Sequence, residues 1–432
     1  MSLLSHPPDS LGTQVFEELE SEVRTYCRRF PAVFARASGH LMWDDTGRAY
    51  VDFMSGAGAL NYGHNHPGIV AAVADYLRAE GPVHALDLHT TAKARFLRRF
   101  SEVVLEPLGL RYRLHFTGPT GANAIEAAFK TARRVTGRTD IVAFTGGFHG
   151  LSLGALAASA TALKRGAAGV PLTHVTRMPY DGYLGEGVDT VDHLVKMIDD
   201  PGSGVDLPAA FVVESVQGEG GLAAASPQWL RRLAAVAGER QIPLILDEIQ
   251  TGCGRTGEFF GFTEAGVVPD LVCLSKSLSG LGLPMSLLLV RPELDLLGPG
   301  EHSGTFRGNN LAFVAATAAL DLWAEPGFRA AVRRTAGELR AGLTGLAARW
   351  RHLGCTVRGR GLILGLSFAE ERLPGRVSSA AFRRGLLVET SGARGQTLKI
   401  MPPILIGDDG LRQGLDLLHE AISTVSEGGD HD

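Results

Sequence analysis

Hydrophobic positions change their rhythm twice along the chain. From about Tyr112, short apolar runs alternate with longer segments in which apolar residues recur every three or four positions. The runs cover 112–116, 141–145, 209–214, 243–247, 270–276 and 285–290. Alternation of this kind predicts an α/β architecture, a mostly parallel sheet covered by helices. After Thr120, for example, Ile125, Ala128, Phe129 and Ala132 share one helical face, which meets the sheet. Ahead of this region the pattern predicts one helix over 15–30 and a hairpin over 41–53 that turns at Asp45, Thr46 and Gly47. Behind it come helices over 310–323 and 326–350, then short strands and helices to about Thr424. The expected organisation is a large domain over 60–325 and a smaller, discontinuous one made of 1–59 and 326–432.

Composition narrows the class. At 432 residues and 45% hydrophobic, the chain can fill both cores, which excludes a disordered or fibrous protein. Acids and bases are interspersed to a net charge of −4, with no basic block to track a phosphate backbone, so nucleic acid is not an expected partner. No uncharged apolar run approaches the roughly 20 residues that cross a bilayer, and the N-terminus lacks the pattern of a signal peptide. No membrane partner is expected, and 426–432 reads as a solvated tail. Cys27, Cys253, Cys273 and Cys355 form no CxxC pair, which fits a reducing cytoplasm. His64, Asn65 and His66 suggest a metal at first sight, as does His149, but no third ligand stands at a suitable spacing. A loop or helix-entry role is expected for them, and no metal.

In parallel α/β sheets ligands gather beyond the carboxyl ends of the strands. Four such ends carry chemistry. After 112–116, the turn TGPTGANAIEAA opens a helix whose free N–H groups suit a phosphate; an ordinary strand-to-helix turn is the alternative. After 209–214, Glu214 is followed by Gln217 and Glu219 in a glycine-rich loop, which alone would read as exposed polar residues. Asp247 ends a run too apolar for a surface strand, and Lys276 follows another. Buried charges need partners. One account is an Asp247–Lys276 ion pair that staples two strands. The other is a shared ligand: a carboxylate beside a protonated ring nitrogen, an amine for an aldehyde, and a helix end for a phosphate. Pyridoxal phosphate requires that trio, and the motifs together favour it.

A rival lies in Gly252, Gly254 and Gly257, which match the G-x-G-x-x-G of dinucleotide sites. The third glycine must open a helix, yet Glu258, Phe259, Phe260 and Gly261 follow. Asp270 also precedes its strand instead of ending one. These glycines are expected to shape a turn near a subunit interface.

Beyond these arguments, GHNHP, GPTGANAIEAAFK, GFHG, VVESVQGEGG, ILDEIQTGCGRTG, PDLVCLSKS, GTFRGNN and LKIMPPILI resemble the class III, ornithine-type aminotransferases of fold type I, from about Glu20 to Ile422. The resemblance implies a seven-stranded, mostly parallel sheet plus a smaller α+β domain, with pyridoxal 5′-phosphate as cofactor. ESEVRTYC, TRMPYDGY and PGEHSGTFRGNNLAF look most like the diaminobutyrate:2-oxoglutarate branch, of the kind found in ectoine biosynthesis. That implies exchange of an amino group between L-2,4-diaminobutyrate and 2-oxoglutarate. Other ω-amines (ornithine, 4-aminobutyrate, an acylated diamine) are the alternative donors, and an aminomutase or racemase is the alternative reaction.

Position by position, Lys276 resembles the lysine that bonds the cofactor, and Asp247 the acid beneath its ring nitrogen. Thr120, Gly121 and Ala122 match the phosphate turn, Phe148 the stacking aromatic, and Gln250 the side chain near the ring hydroxyl. Thr305 matches a threonine that reaches the phosphate of the neighbouring subunit, which implies a homodimer with shared sites. Glu219 matches a glutamate that gates substrates. Where many relatives carry an arginine before PP, this chain has Lys399, a point charge that cannot form the planar fork arginine offers a carboxylate. Either Lys399 or Arg307 is expected to receive the substrate carboxylate.

Overall fold

The computed structural model describes residues 12–427. The N-terminal 11 residues and most of the expected tail lie outside the described residues. Its centre is a seven-stranded sheet in the order Arg113–Phe116, Leu287–Val290, Leu271–Leu274, Leu244–Asp247, Ala210–Glu214, Ile141–Phe144 and Val175–Met178. Leu287–Val290 runs antiparallel to both neighbours, and the remaining pairs are parallel. All six apolar runs became strands of this sheet. The seventh, Val175–Met178, escapes the apolar pattern because it is an edge strand: Thr176 and Arg177 sit half-buried in its middle. The four strands Ile141–Phe144, Ala210–Glu214, Leu244–Asp247 and Leu271–Leu274 are buried throughout, as a sheet covered on both faces requires.

Helix Gly121–Thr136 buries Ile125, Ala128, Phe129 and Ala132 against that sheet and stops at Gly137, which takes a left-handed conformation (φ 69°) open to glycine. The expected helix over 15–30 is instead two short ones, Gln14–Leu19 and Tyr26–Arg29. Its apolar residues Val15, Phe16, Leu19 and Val23 are all exposed, so no packing supports a longer helix. The hairpin Leu41–Asp44/Ala49–Asp52 forms as expected, with Asp44 accepting from the backbone N–H groups of Thr46 and Arg48. Ala49–Asp52 then pairs in parallel with Leu386–Leu387, which joins the two ends of the chain in one four-stranded sheet. A second four-stranded sheet carries Thr397–Ile400 between Ile363–Ser367 and Glu389–Ser391.

Candidate active site

Adjacent parallel strands bring their carboxyl ends to one place. Asp247 stands in register with Cys273 on one side and Glu214 on the other, and Lys276 follows two residues beyond Leu274. A cavity of about 150 Å³ opens there. Gly121 and Ala122 reach it from the helix start, Phe148 from the loop after Ile141–Phe144, Glu219 from the glycine-rich loop, and Asp247, Gln250 and Lys276 from the strand ends. A Cβ at Gly218 would fall 1.6 Å from Gln250 Oε1, so a side chain there would displace the Gln250 amide from its place under the loop. Gln250 Oε1 is buried with no partner, an acceptor left for something in the cavity.

The ion-pair staple does not form: among the described residues Asp247 and Lys276 share no salt bridge. Asp247 Oδ2 lies 2.7 Å from Nδ1 of buried His149, and its Oδ1 accepts from the Ile249 N–H at 3.1 Å. Lys276 has a left-handed backbone (φ 49°), uncommon for a residue with a Cβ and typical of functional positions. Burial is the main influence on its ammonium and brings its pKa down to about 8. The amine is therefore available without a high pH. Glu214 is also buried; burial and then the charge of Asp247 raise its pKa well above the carboxylate range, while its Oε2 accepts from Phe148 N–H at 3.1 Å. That bond holds the loop bearing Phe148 and His149.

The other expected residues separate. Thr120 caps its helix beside the cavity and hydrogen-bonds Asn123 Oδ1 through its hydroxyl at 2.9 Å. Thr305 is exposed, its carbonyl 3.0 Å from His84 Nε2, and it does not line the cavity of its own chain. Arg307 lies outside that cavity as well, with Nη2 donating to Ser303 O at 3.3 Å and Nε buried without a partner. Lys399 is fully buried: Nζ lies 2.6 Å from Glu219 Oε1 and 3.0 Å from Glu389 Oε1. It is not presented to the cavity as a bare cation. Burial alone would raise the Glu219 carboxyl, but Lys399 and then Lys276 hold it down at about 2.

Sequence reasoning assigned His149 a loop role and did not single out Glu389. His149 lies between Phe148 and Gly150, and only the fold shows that it faces Asp247 across 98 positions of sequence. Lys164 was also missed; its ammonium stands 4.0 Å above the Phe148 ring. The glycines of 252–257 shape a turn, as expected. It is buried inside its own chain, where Arg255 donates to Asn61 Oδ1, Leu362 O and Pro402 O.

A buried lysine, a strand-end aspartate and a helix start, all meeting in one cavity of a mostly parallel sheet, define a pyridoxal-phosphate-dependent enzyme. The chain belongs to the family "Aminotransferase class-III", whose profile matches residues 24–422. It is 48% identical over 413 residues to a diaminobutyrate--2-oxoglutarate transaminase of Halalkalibacterium halodurans, covering 96% of this chain and 97% of that one. A protein of the same name from Bordetella parapertussis is 52% identical over 415 residues, with 96% and 95% covered. Among solved structures, an ornithine aminotransferase from Toxoplasma gondii, described with partial occupancy of PLP at its active site, superposes with a TM-score of 0.83 at 27% identity, covering 96% of this chain and 94% of that one. The protein is thus an aminotransferase, and pyridoxal phosphate is its cofactor.

Proposed function

We propose that the protein moves the 4-amino group of L-2,4-diaminobutyrate to 2-oxoglutarate, giving L-aspartate 4-semialdehyde and L-glutamate, and runs in either direction. The observation that carries this reading is the buried Lys276 amine facing Asp247 across one cavity, in a chain about half identical over nearly its whole length to transaminases of that name. Bound there, pyridoxal phosphate supplies an aldehyde for the amino group and a ring that takes up the electron pair released at the substrate carbon.

The chain's residues have separate tasks. Lys276 would hold the cofactor through its amine and could carry a proton to and from the reacting carbon; its depressed pKa suits both directions near neutral pH. Asp247, oriented by His149, would keep the ring nitrogen protonated. Gly121 and Ala122 offer the backbone N–H groups of a helix start to the phosphate, with Thr120 completing the turn. Phe148 would pack against the ring, and the free Gln250 Oε1 would accept a hydrogen bond from it.

A homodimer with shared sites is supported by the exposed segment around Thr305. Phe306 is 64% exposed beside the His84 ring, near exposed Val83, Leu86 and Leu88. The partner's cavity is where Thr305 would find a phosphate. Four free cysteines support a reducing, cytoplasmic setting.

Steady-state kinetics with diaminobutyrate and 2-oxoglutarate test the cycle: parallel double-reciprocal plots are expected of an amino group parked on the enzyme between substrates. Intersecting plots would contradict it.

A further inference from the structure

Lys399 stands directly opposite Glu389 in the antiparallel register of Thr397–Ile400 and Glu389–Ser391, so the sheet itself fixes that pair. Glu389 is 2% exposed and Lys399 0%. Glu219 arrives from the loop, with Oε1 2.6 Å from the ammonium, and lines the cavity beside Lys276. One ammonium therefore serves two carboxylates. The wall next to Lys276 keeps one net negative charge, whereas a receptor for a substrate carboxylate would need the opposite sign. Tyr26 approaches the same group from the N-terminal segment, where burial and then the charges of Glu389 and Glu219 raise the pKa of its hydroxyl.

We propose that Glu389 makes the Glu219–Lys399–Glu389 triad a subsite for the second ammonium of a diamino acid, discriminating against ω-amino acids that lack it. The inference rests on the transaminase reading above and concerns which donor the site prefers. Glu389 is a positioning residue: held by its strand, it shares Lys399 with Glu219, so the three groups together keep one net negative charge, and Glu219 is the member that lines the cavity. In a partly dry site that charge attracts a cation far more strongly than it would in water. Loss of the attracting group penalises only the donor that carries the cation.

L-2,4-Diaminobutyrate and 4-aminobutyrate differ by the 2-amino group alone, so the ratio of their kcat/KM values with 2-oxoglutarate isolates its contribution. Wild-type holoenzyme is expected to favour diaminobutyrate. Glu389→Gln should lower the ratio about tenfold, chiefly through KM for diaminobutyrate, and Glu389→Asp should largely retain it. The double variant Glu389→Gln/Lys399→Met returns one net negative charge at Glu219 and should restore the ratio. General damage would weaken both donors together and leave the ratio unmoved. Should Glu389→Gln fail to fold, Glu219→Gln deletes the same charge from the loop side and must lower the ratio too. An unchanged ratio in a folded charge-deleting variant, or no restoration in the folded double variant, overturns the inference while diaminobutyrate activity of the wild type stands. A wild type inactive on diaminobutyrate overturns the proposed function itself, and this inference with it.

Discussion

Lys276 and Asp247 illustrate how one fold sets two buried charges to different tasks. For Lys276, burial disfavours the ammonium, so its folded pKa falls from 10.5 to about 8 and the free amine predominates above that pH. In the cofactor-free protein, labelling of Lys276 by an amine-directed reagent should rise with pH around a midpoint near 8; a midpoint near 10.5 would show an ordinary, solvated lysine. With cofactor bound, Lys276→Ala should abolish the visible absorption that an aldehyde bonded to a lysine amine gives and borohydride bleaches, and lower turnover by about a thousandfold or more. For Asp247, the decisive neighbour is His149. Replacing His149 by Ala removes a hydrogen bond to a charged group, worth about 2 kcal/mol, and should weaken cofactor retention by tenfold or more in equilibrium dialysis. Unaltered retention would reduce His149 to packing.

At the scale of elements, the strands were legible because a sheet buried on both faces needs uninterrupted apolar runs, and all six runs occur in it. Val175–Met178 was not, since an edge strand tolerates Thr176 and Arg177. Asp247 and Lys276 were legible for the same reason: a charge at the end of an apolar run stands out. Pairings across long sequence gaps left no such mark. His149 with Asp247, and Glu219 with Lys399, depend on how distant segments come together in the fold. Arg255 belongs to this class, joining the glycine turn to Asn61, Leu362 and Pro402 with no carboxylate in the set; burial lowers its pKa to about 9. Arg255→Met strands those acceptors and should lower stability by about 3 kcal/mol, read as a shift in the urea midpoint. The segment bearing Thr305 is anchored differently, by His302 packed edge-on against His115. Burial, then Arg307, His115 and Lys130, lower the His302 pKa to about 4. The unfolded chain takes up this proton below pH 6.5 and the folded chain resists it, so stability should fall as pH drops from about 6.5 toward 4. His302→Gln should flatten that part of the profile in thermal melts.

Across the whole molecule, the central sheet supplies the cavity, while a second four-stranded sheet, formed by the C-terminal part alone, supplies Glu389 and Lys399. In the homodimer proposed above, the exposed segment around Phe306 would meet a second copy. Light scattering should give about twice the chain mass of 45.8 kDa, and mixing Lys276→Ala with Thr305→Ala subunits should yield hybrids that carry one site with both defects and one with neither. The central claim is the transfer of one particular nitrogen. With L-2,4-diaminobutyrate labelled by ¹⁵N at position 4 and unlabelled 2-oxoglutarate, the account predicts ¹⁵N in the glutamate formed and a semialdehyde as the other product. Glutamate labelled only when the ¹⁵N is placed at position 2 would contradict it.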